Sequence, residues 1–175
     1  MKINGKTVVV LAEHHYQDLE LHYPRLRLLE EGAKVIVAGT GGSDAYTGKY
    51  GYPVKVDTDV SALTAAQVDG LVIPGGWAPD RLRLSPHVLK LVRDIMEQGK
   101  PLACICHGGW VLASAGVLKG RKTTGYVAIR DDLVNAGAEY VDRDVVVDGN
   151  LITSRTPEDL PVFMQAFIRA LSSPE

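Results

Sequence analysis

A chain of 175 residues with a formal net charge of −2 suits one domain and argues against a nucleic-acid surface or a binder of anionic membranes. Hydrophobic residues make up 46% of the sequence but aromatic residues only 6%, so we expect a sizeable core of mainly aliphatic side chains. No apolar run near the N-terminus is long enough for a signal core or a membrane span. We expect a single domain over residues 1–175, with neither membrane nor nucleic acid among its partners.

The two cysteines, Cys104 and Cys106, lie only two positions apart. Such spacing in an extended segment gives poor disulfide geometry. Two free thiols without a secretory signal indicate a reducing compartment, so we expect the protein in the cytoplasm.

Short apolar runs alternate with amphipathic segments along the chain. The runs are typical of strands buried on both faces. The first amphipathic segment predicts a helix on which Leu19, Leu26 and Leu29 recur on one side, with Gly32 as its stop. The predicted strands are residues 7–12, 33–38, 69–73 and 101–105. The predicted helices are residues 18–31, 85–99, 110–115, 128–136 and one beginning near Thr156, with a hairpin at 145–153.

This alternation predicts an α/β fold with a mostly parallel central sheet and helices on both of its faces. Sites in such folds lie at the carboxyl ends of the strands. Two Gly-rich turns fall there, Pro74-Gly75-Gly76 after one strand and Cys106-His107-Gly108-Gly109 after another.

The second of these turns has the pattern of a nucleophile on a strand-to-helix elbow. Gly108 and Gly109 let strand and helix approach closely, so that one side chain projects above the sheet. A helix N-terminus there is expected to stabilise a thiolate and lower the pKa of Cys106. His107 is a candidate base, although its ring can reach the preceding side chain only if the backbone is strained. Cys104 lies inside the apolar run and is interpreted as core.

The turn at Pro74-Gly75-Gly76 offers backbone N–H groups to the same region. We expect the N–H groups of Gly76 and His107 to form an oxyanion hole above Cys106. A Gly-Gly pair after a strand is by itself only a loop signal, and the cysteine elbow gives it this meaning.

Five stretches resemble the PfpI family of intracellular cysteine hydrolases, within the class I glutamine amidotransferase-like superfamily. They are residues 18–24 (DLELHYP), 73–80 (IPGGWAPD), 103–108 (ACICHG), 129–133 (IRDDL) and 145–155 (VVVDGNLITSR). The resemblance spans nearly the whole chain. It implies a flavodoxin-like three-layer sandwich with Cys106 as nucleophile and His107 as its histidine.

The resemblance also assigns two acids. Glu20 is implied as the carboxyl beside the thiol, where burial would raise its pKa and let it donate a hydrogen bond to sulfur. Asp80 stands where the family usually has a glutamate that orients the histidine from a neighbouring subunit. The resemblance therefore implies a homodimer or hexamer with a shared active site, but the shorter acid weakens the case for a peptidase.

Three histidines, His14, His15 and His22, lie near two glutamates without the spacing of a metal site. We predict no metal and no cofactor.

Three functions remain open. One is a peptidase-type cysteine hydrolase. The second uses the same thiolate and Glu20 on 2-oxoaldehydes such as methylglyoxal, as a cofactor-free glyoxalase or deglycase. The third is a non-enzymatic stress chaperone or a redox sensor in which Cys106 is oxidised. The aldehyde reaction needs only a small pocket, a thiolate and a carboxyl, whereas a peptidase needs an effective orienter for His107.

Overall fold

A computed structural model describes residues 3–172 of the chain. The strands are β1 (Thr7–Leu11), β2 (Lys34–Gly39), β3 (Ala45–Thr47), β4 (Pro53–Lys55), β5 (Thr58–Asp59), β6 (Gly70–Ile73), β7 (Leu102–Ile105), β8 (Lys122–Thr123), β9 (Glu139–Tyr140), β10 (Val145–Asp148) and β11 (Leu151–Ser154). The helices are α1 (Asp18–Glu30), α2 (Ala78–Leu82), α3 (Pro86–Glu97), α4 (Gly109–Ala115), α5 (Arg130–Asn135) and α6 (Leu160–Ser172).

The central sheet has seven strands in the order β10-β11-β7-β6-β1-β2-β5 within the described part of the chain. Every neighbouring pair is parallel except the hairpin β10-β11 at one edge. The sheet is therefore mostly parallel, and the predicted α/β architecture is confirmed.

Helices cover both faces of this sheet. Helices α1 and α6 pack on one another, while α4 packs on α2, α3 and α5. The strands β6 and β7 are buried at every position, as is β1 from Val8 to Leu11. Such continuous burial requires a helix layer on each side, which completes the three-layer sandwich.

The leucines of α1 do not mark its buried side. Leu19 and Leu26 are each 57% exposed and Leu29 is 43% exposed. The helix turns Leu21 and Leu28 inward, together with the carboxyl of Glu20. A charged residue occupies the buried side, so the leucine pattern indicated the wrong face.

The sequence pattern also missed a small hairpin beside α1. Strands β3 and β4 pair antiparallel, with Ala45 opposite Lys55. They are joined by residues 48–52, here called the 48–52 turn. Each strand is only three residues long, which is too short for a periodic signal.

Two expected features of the second half are present. The hairpin β10-β11 turns at Gly149 and Asn150, and Gly149 has φ +60°. Helix α6 follows a 3-10 turn over Pro157–Asp159. Among the helices that the structure describes, none combines the length and the apolar character of a membrane span.

Candidate active site

The elbow after β7 carries a strained residue. Cys106 has φ +60°, and Cys106 and His15 are the non-glycine residues of positive φ within residues 3–172. A left-handed conformation costs a side-chain-bearing residue about 1 to 3 kcal/mol and persists where the surrounding structure enforces it. Gly108 permits the turn, because a Cβ there would lie 2.8 Å from Cys104 Sγ and 3.0 Å from the carbonyl oxygen of Ile73.

This strain brings the neighbouring histidine onto the thiol. His107 Nδ1 lies 3.3 Å from Cys106 Sγ. The imidazole is enclosed by three aromatic rings, those of Trp77 at 5.7 Å, Trp110 at 5.1 Å and a stacked Tyr126 at 4.9 Å between centroids. Burial lowers the pKa of His107, and the nearby charge of Lys49 lowers it further. His107 is therefore held neutral, the form in which a ring nitrogen can accept a proton.

Glu20 is the buried acid of the site. Its side chain is 0% exposed, and Oε2 accepts a hydrogen bond from the N–H of Gly75 at 2.8 Å. Oε1 is buried as well and has no nitrogen or oxygen partner among residues 3–172, and the carboxyl interacts with the thiol of Cys106. Burial raises the pKa of Glu20 to about 7, with the hydrogen bond from Gly75 acting in the opposite direction. At neutral pH this carboxyl can both take up and release a proton.

The thiol and this carboxyl form a coupled pair. Burial and the charge of Glu20 raise the pKa of Cys106 to about 12, although the N–H groups of Gly76 and His107 donate toward the sulfur. The sequence predicted a lowered pKa from the helix N-terminus, and that direction is wrong because burial and Glu20 outweigh it. Two negative charges so close together repel one another, so the pair carries one negative charge more readily than two. The thiolate of Cys106 is therefore more stable when Glu20 is protonated.

The Gly75-Gly76 turn is clamped between the thiol and the segment before α1. Gly75 O accepts from Gln17 N at 3.1 Å, and a Cβ on Gly75 would lie 2.5 Å from Glu20 Oε2. Gly76 has φ +75° and little room beside the backbone of residues 15–17. The N–H of Gly75 is committed to Glu20, so Gly75 positions the carboxyl and is not an oxyanion donor. Gly76 and His107 supply the N–H groups that face the sulfur.

Asp80 stands apart from these groups in the single chain. It lies in the first turn of α2 with its side chain exposed. The described residues offer its carboxyl no hydrogen-bond partner, and it does not orient His107.

No metal-binding arrangement accompanies the site in the described residues. Between residues 3 and 172, no group of three or more His, Cys, Asp or Glu side chains is placed to hold a metal ion.

A sequence profile of the DJ-1/PfpI family matches residues 6–170. The chain belongs to the DJ-1/PfpI family. Deglycase PfpI of Pyrococcus furiosus is 48% identical over 164 residues, which cover 94% of this chain and 98% of that protein. Protein/nucleic acid deglycase 2 of Escherichia coli is 39% identical over 171 residues, covering 97% of this chain and 99% of that protein. The crystal structure of Drosophila melanogaster DJ-1beta superposes with a TM-score of 0.90 at 32% identity, covering 97% and 91% of the two chains.

One residue that acts on the site was not predicted from the sequence. Lys49 lies in the 48–52 turn, and its charge acts on both Glu20 and His107. Only the turn-forming residues Gly48 and Gly51 around it could have drawn attention to the position.

The raised pKa of Glu20 predicts that this acid destabilises the fold at high pH. Its ordinary pKa is 4.5 and its folded pKa is about 7, so folding loses stability as pH rises through that window. The loss in the free energy of unfolding is absent below both pKa values and reaches about 3 kcal/mol above the folded pKa. Urea unfolding at pH 5 and pH 8 is expected to show Glu20→Gln more stable than the wild type by about 1 to 3 kcal/mol at pH 8, with a much smaller gain at pH 5. An identical gain at both pH values would contradict the raised pKa.

Proposed function

We propose that this chain is a cysteine-dependent hydrolase of the PfpI type that works as a glyoxalase or deglycase on 2-oxoaldehydes such as methylglyoxal. The observation that carries the proposal is Glu20, which is fully buried beside Cys106, interacts with its thiol and has a pKa of about 7. A buried acid that titrates near neutrality suits a residue that moves protons between neighbouring carbon atoms. Relatives named as deglycases support the same chemistry.

The first step joins the thiol to the aldehyde. The sulfur of Cys106 forms a bond to the aldehyde carbon, and the π electrons of the carbonyl move to its oxygen. The thiol proton passes to Glu20 as the sulfur attacks, and Glu20 then gives it to that oxygen, which yields a hemithioacetal and leaves Glu20 ionised. The N–H groups of Gly76 and His107 face the sulfur and are placed to stabilise charge that develops next to it.

The second step moves hydrogen between two carbons. Ionised Glu20 removes the proton from the carbon bonded to sulfur, leaving an enediolate across the two former carbonyl carbons. The hydroxyl proton moves from the oxygen on the first carbon to the oxygen on the second, and the same carboxyl returns its proton to the second carbon, which becomes an alcohol. The first carbon is now a thioester, so one carbon is oxidised as its neighbour is reduced and no external redox partner is needed.

Hydrolysis completes the cycle. Neutral His107, with Nδ1 3.3 Å from the sulfur, is placed to accept a proton from an attacking water. The carbon–sulfur bond breaks, the thiol is restored and a 2-hydroxy acid leaves. An aldehyde that is bound reversibly to an amine enters the same path once the amine leaves. The reaction would in this way remove the aldehyde from a glycated amine.

A peptidase reaction would use the same thiol but requires an orienter for His107. We propose that a second copy of the chain supplies it through Asp80, in a homodimer or hexamer. The surface beside Asp80 supports a contact there, since Trp77 is 59% and Leu84 is 77% exposed.

Because both cysteines are unpaired, we also propose a reducing compartment, the cytoplasm.

Incubation of the wild-type protein with methylglyoxal, and in parallel with a fluorogenic casein, tests the proposed function. We expect lactate to form and casein to remain intact, because the buried acid serves the aldehyde reaction, whereas the short side chain of Asp80 is a poor orienter for His107 even when a second copy supplies it. Protein pretreated with iodoacetamide is the control and should form no lactate. Casein cleavage without lactate would contradict the aldehyde reaction and favour the peptidase.

A further inference from the structure

The 48–52 turn is held rigidly against the start of α1. Both carboxylate oxygens of Asp18 accept from its backbone, one from Tyr50 N and the other from Tyr52 N, each at 3.0 Å. The hydroxyl of Tyr16 donates to Tyr52 O at 2.5 Å. A Cβ at Gly48 would lie 2.4 Å from Asp18, so this close contact depends on glycine. The backbone of the turn is therefore fixed, and a side chain on it has a defined origin.

This turn adjoins the backbone that frames the thiol. The N–H of Lys49 donates to Tyr16 O at 2.8 Å. Tyr16 in turn forms a β-bridge with Gly76, whose N–H faces the Cys106 sulfur. The backbone at Tyr16 therefore lies between Lys49 and Gly76 and contacts both.

Lys49 brings a positive charge to the site without a carboxylate partner. Its side chain is exposed, and among residues 3–172 its ammonium takes part in no ion pair; it lies 5.0 Å from the centroid of the Tyr50 ring. Its charge reaches both Glu20 and His107, while Glu158 is the further carboxylate that acts on Glu20. An exposed ammonium on a fixed turn is suited to meet an anion that enters from solvent.

We propose that Lys49 forms an anion subsite beside Cys106, so that the site favours ligands with a carboxylate close to the carbon that the thiol attacks. The inference rests on the proposed function in taking Cys106 as the reacting group. The buried pair of Cys106 and Glu20 already carries one negative charge, so a second one from an incoming carboxylate needs a nearby cation. The ammonium of Lys49 supplies it. A 2-hydroxy acid product would bind through the same contact.

Two alkylating agents that differ in charge measure this subsite directly. Iodoacetate and iodoacetamide react alike: the Cys106 sulfur forms a bond to the methylene carbon and iodide leaves with the bonding electrons. Only iodoacetate carries a carboxylate. The rate of each is followed by mass spectrometry in the wild type, Lys49→Gln, Lys49→Arg and Lys55→Gln. Lys55 is an exposed lysine on the neighbouring strand β4 and provides the matched control. Cys104 is 2% exposed, and Cys106→Ala gives its background rate.

In Lys49→Gln we expect the iodoacetate rate to fall by about three- to tenfold and the iodoacetamide rate to change by less than about twofold. Lys49→Arg and Lys55→Gln should keep the wild-type ratio, and added salt should lower that ratio in the wild type. An unchanged ratio in Lys49→Gln, or an equal fall of both rates, would overturn the subsite. Failure of the proposed function would be seen in another measurement. Aldehyde turnover would then continue in a variant that lacks the Cys106 thiol, whatever the ratio of the two alkylation rates.

Discussion

Replacing Cys106 with serine is expected to lower kcat/KM for methylglyoxal by at least about 10³-fold. The fold should persist, because a hydroxyl is slightly smaller than a thiol and the strained backbone at φ +60° is retained. Activity is lost because a hydroxyl ionises far less readily than a thiol and is a weaker nucleophile toward carbonyl carbon. Lactate formation under initial-rate conditions measures the effect.

Cys104→Ser is the matched control for this variant. Cys104 lies two residues earlier on β7, is 2% exposed and has its pKa raised well above the ordinary range by burial. It should remain a thiol and take no part in turnover. We expect Cys104→Ser to lose about 1 to 3 kcal/mol of stability from a buried hydroxyl while keeping activity within a few-fold at temperatures where it is folded. Equal loss of activity in both variants would point to structural damage and not to a nucleophile at Cys106.

Glu20→Gln is expected to lower methylglyoxal turnover by about 10²- to 10⁴-fold. Glutamine keeps the shape and can accept from Gly75 N, but it cannot carry a proton from one carbon to the next. Removing the charge also removes a cause of the raised pKa of Cys106, so the thiol should react faster with iodoacetamide at pH 8. Turnover that falls while thiol reactivity rises is a combination that simple misfolding would not produce.

Glu13→Gln separates this effect from the general cost of altering a buried acid. Glu13 is 5% exposed and accepts from His14 N at 3.1 Å, and it is not among the groups that shift the pKa of Cys106. We expect this variant to keep wild-type turnover and thiol reactivity. A comparable loss in Glu13→Gln would remove the case for a specific proton carrier at Glu20.

The strands and the elbow could be predicted because their signals are local. The run TVVVLA forms β1, which is buried from Val8 to Leu11, and the segment after it forms α1 from Asp18. The Cys106-His107-Gly108-Gly109 sequence likewise marks the turn that the structure contains. The sequence indicates only that His107 can reach the thiol if the backbone is strained. Whether Cys106 has that strained φ depends on how β7 and α4 meet in three dimensions.

The buried side of α1 could not be predicted from periodicity alone. Leu19, Leu26 and Leu29 form a clear pattern, yet the structure buries Glu20 and exposes the leucines. Hydrophobic pattern assumes that apolar residues face the core. The carboxyl of Glu20, which lies beside the thiol, occupies the buried side of the helix together with Leu21 and Leu28, so that assumption fails here.

The charge state of the thiol depends on three-dimensional packing. A helix N-terminus suggested a lowered pKa, but the sequence contains no measure of how deeply the sulfur is buried or how near Glu20 lies. Lys49 was overlooked for the same reason, because its proximity to Glu20 arises from a hairpin of two three-residue strands. Asp80 remains a prediction for a contact between copies.

Carbon-13 NMR with methylglyoxal labelled at the aldehyde carbon tests the central claim most directly. In the wild type the label should move into the carboxyl carbon of lactate, because that carbon becomes the thioester on Cys106 and is then hydrolysed. In Glu20→Gln it should remain in a protein-bound hemithioacetal, and this signal should be missing from Cys106→Ser. Labelled lactate formed by Glu20→Gln at the wild-type rate would contradict the role of Glu20, and no labelled lactate from the wild type would contradict the aldehyde reaction itself.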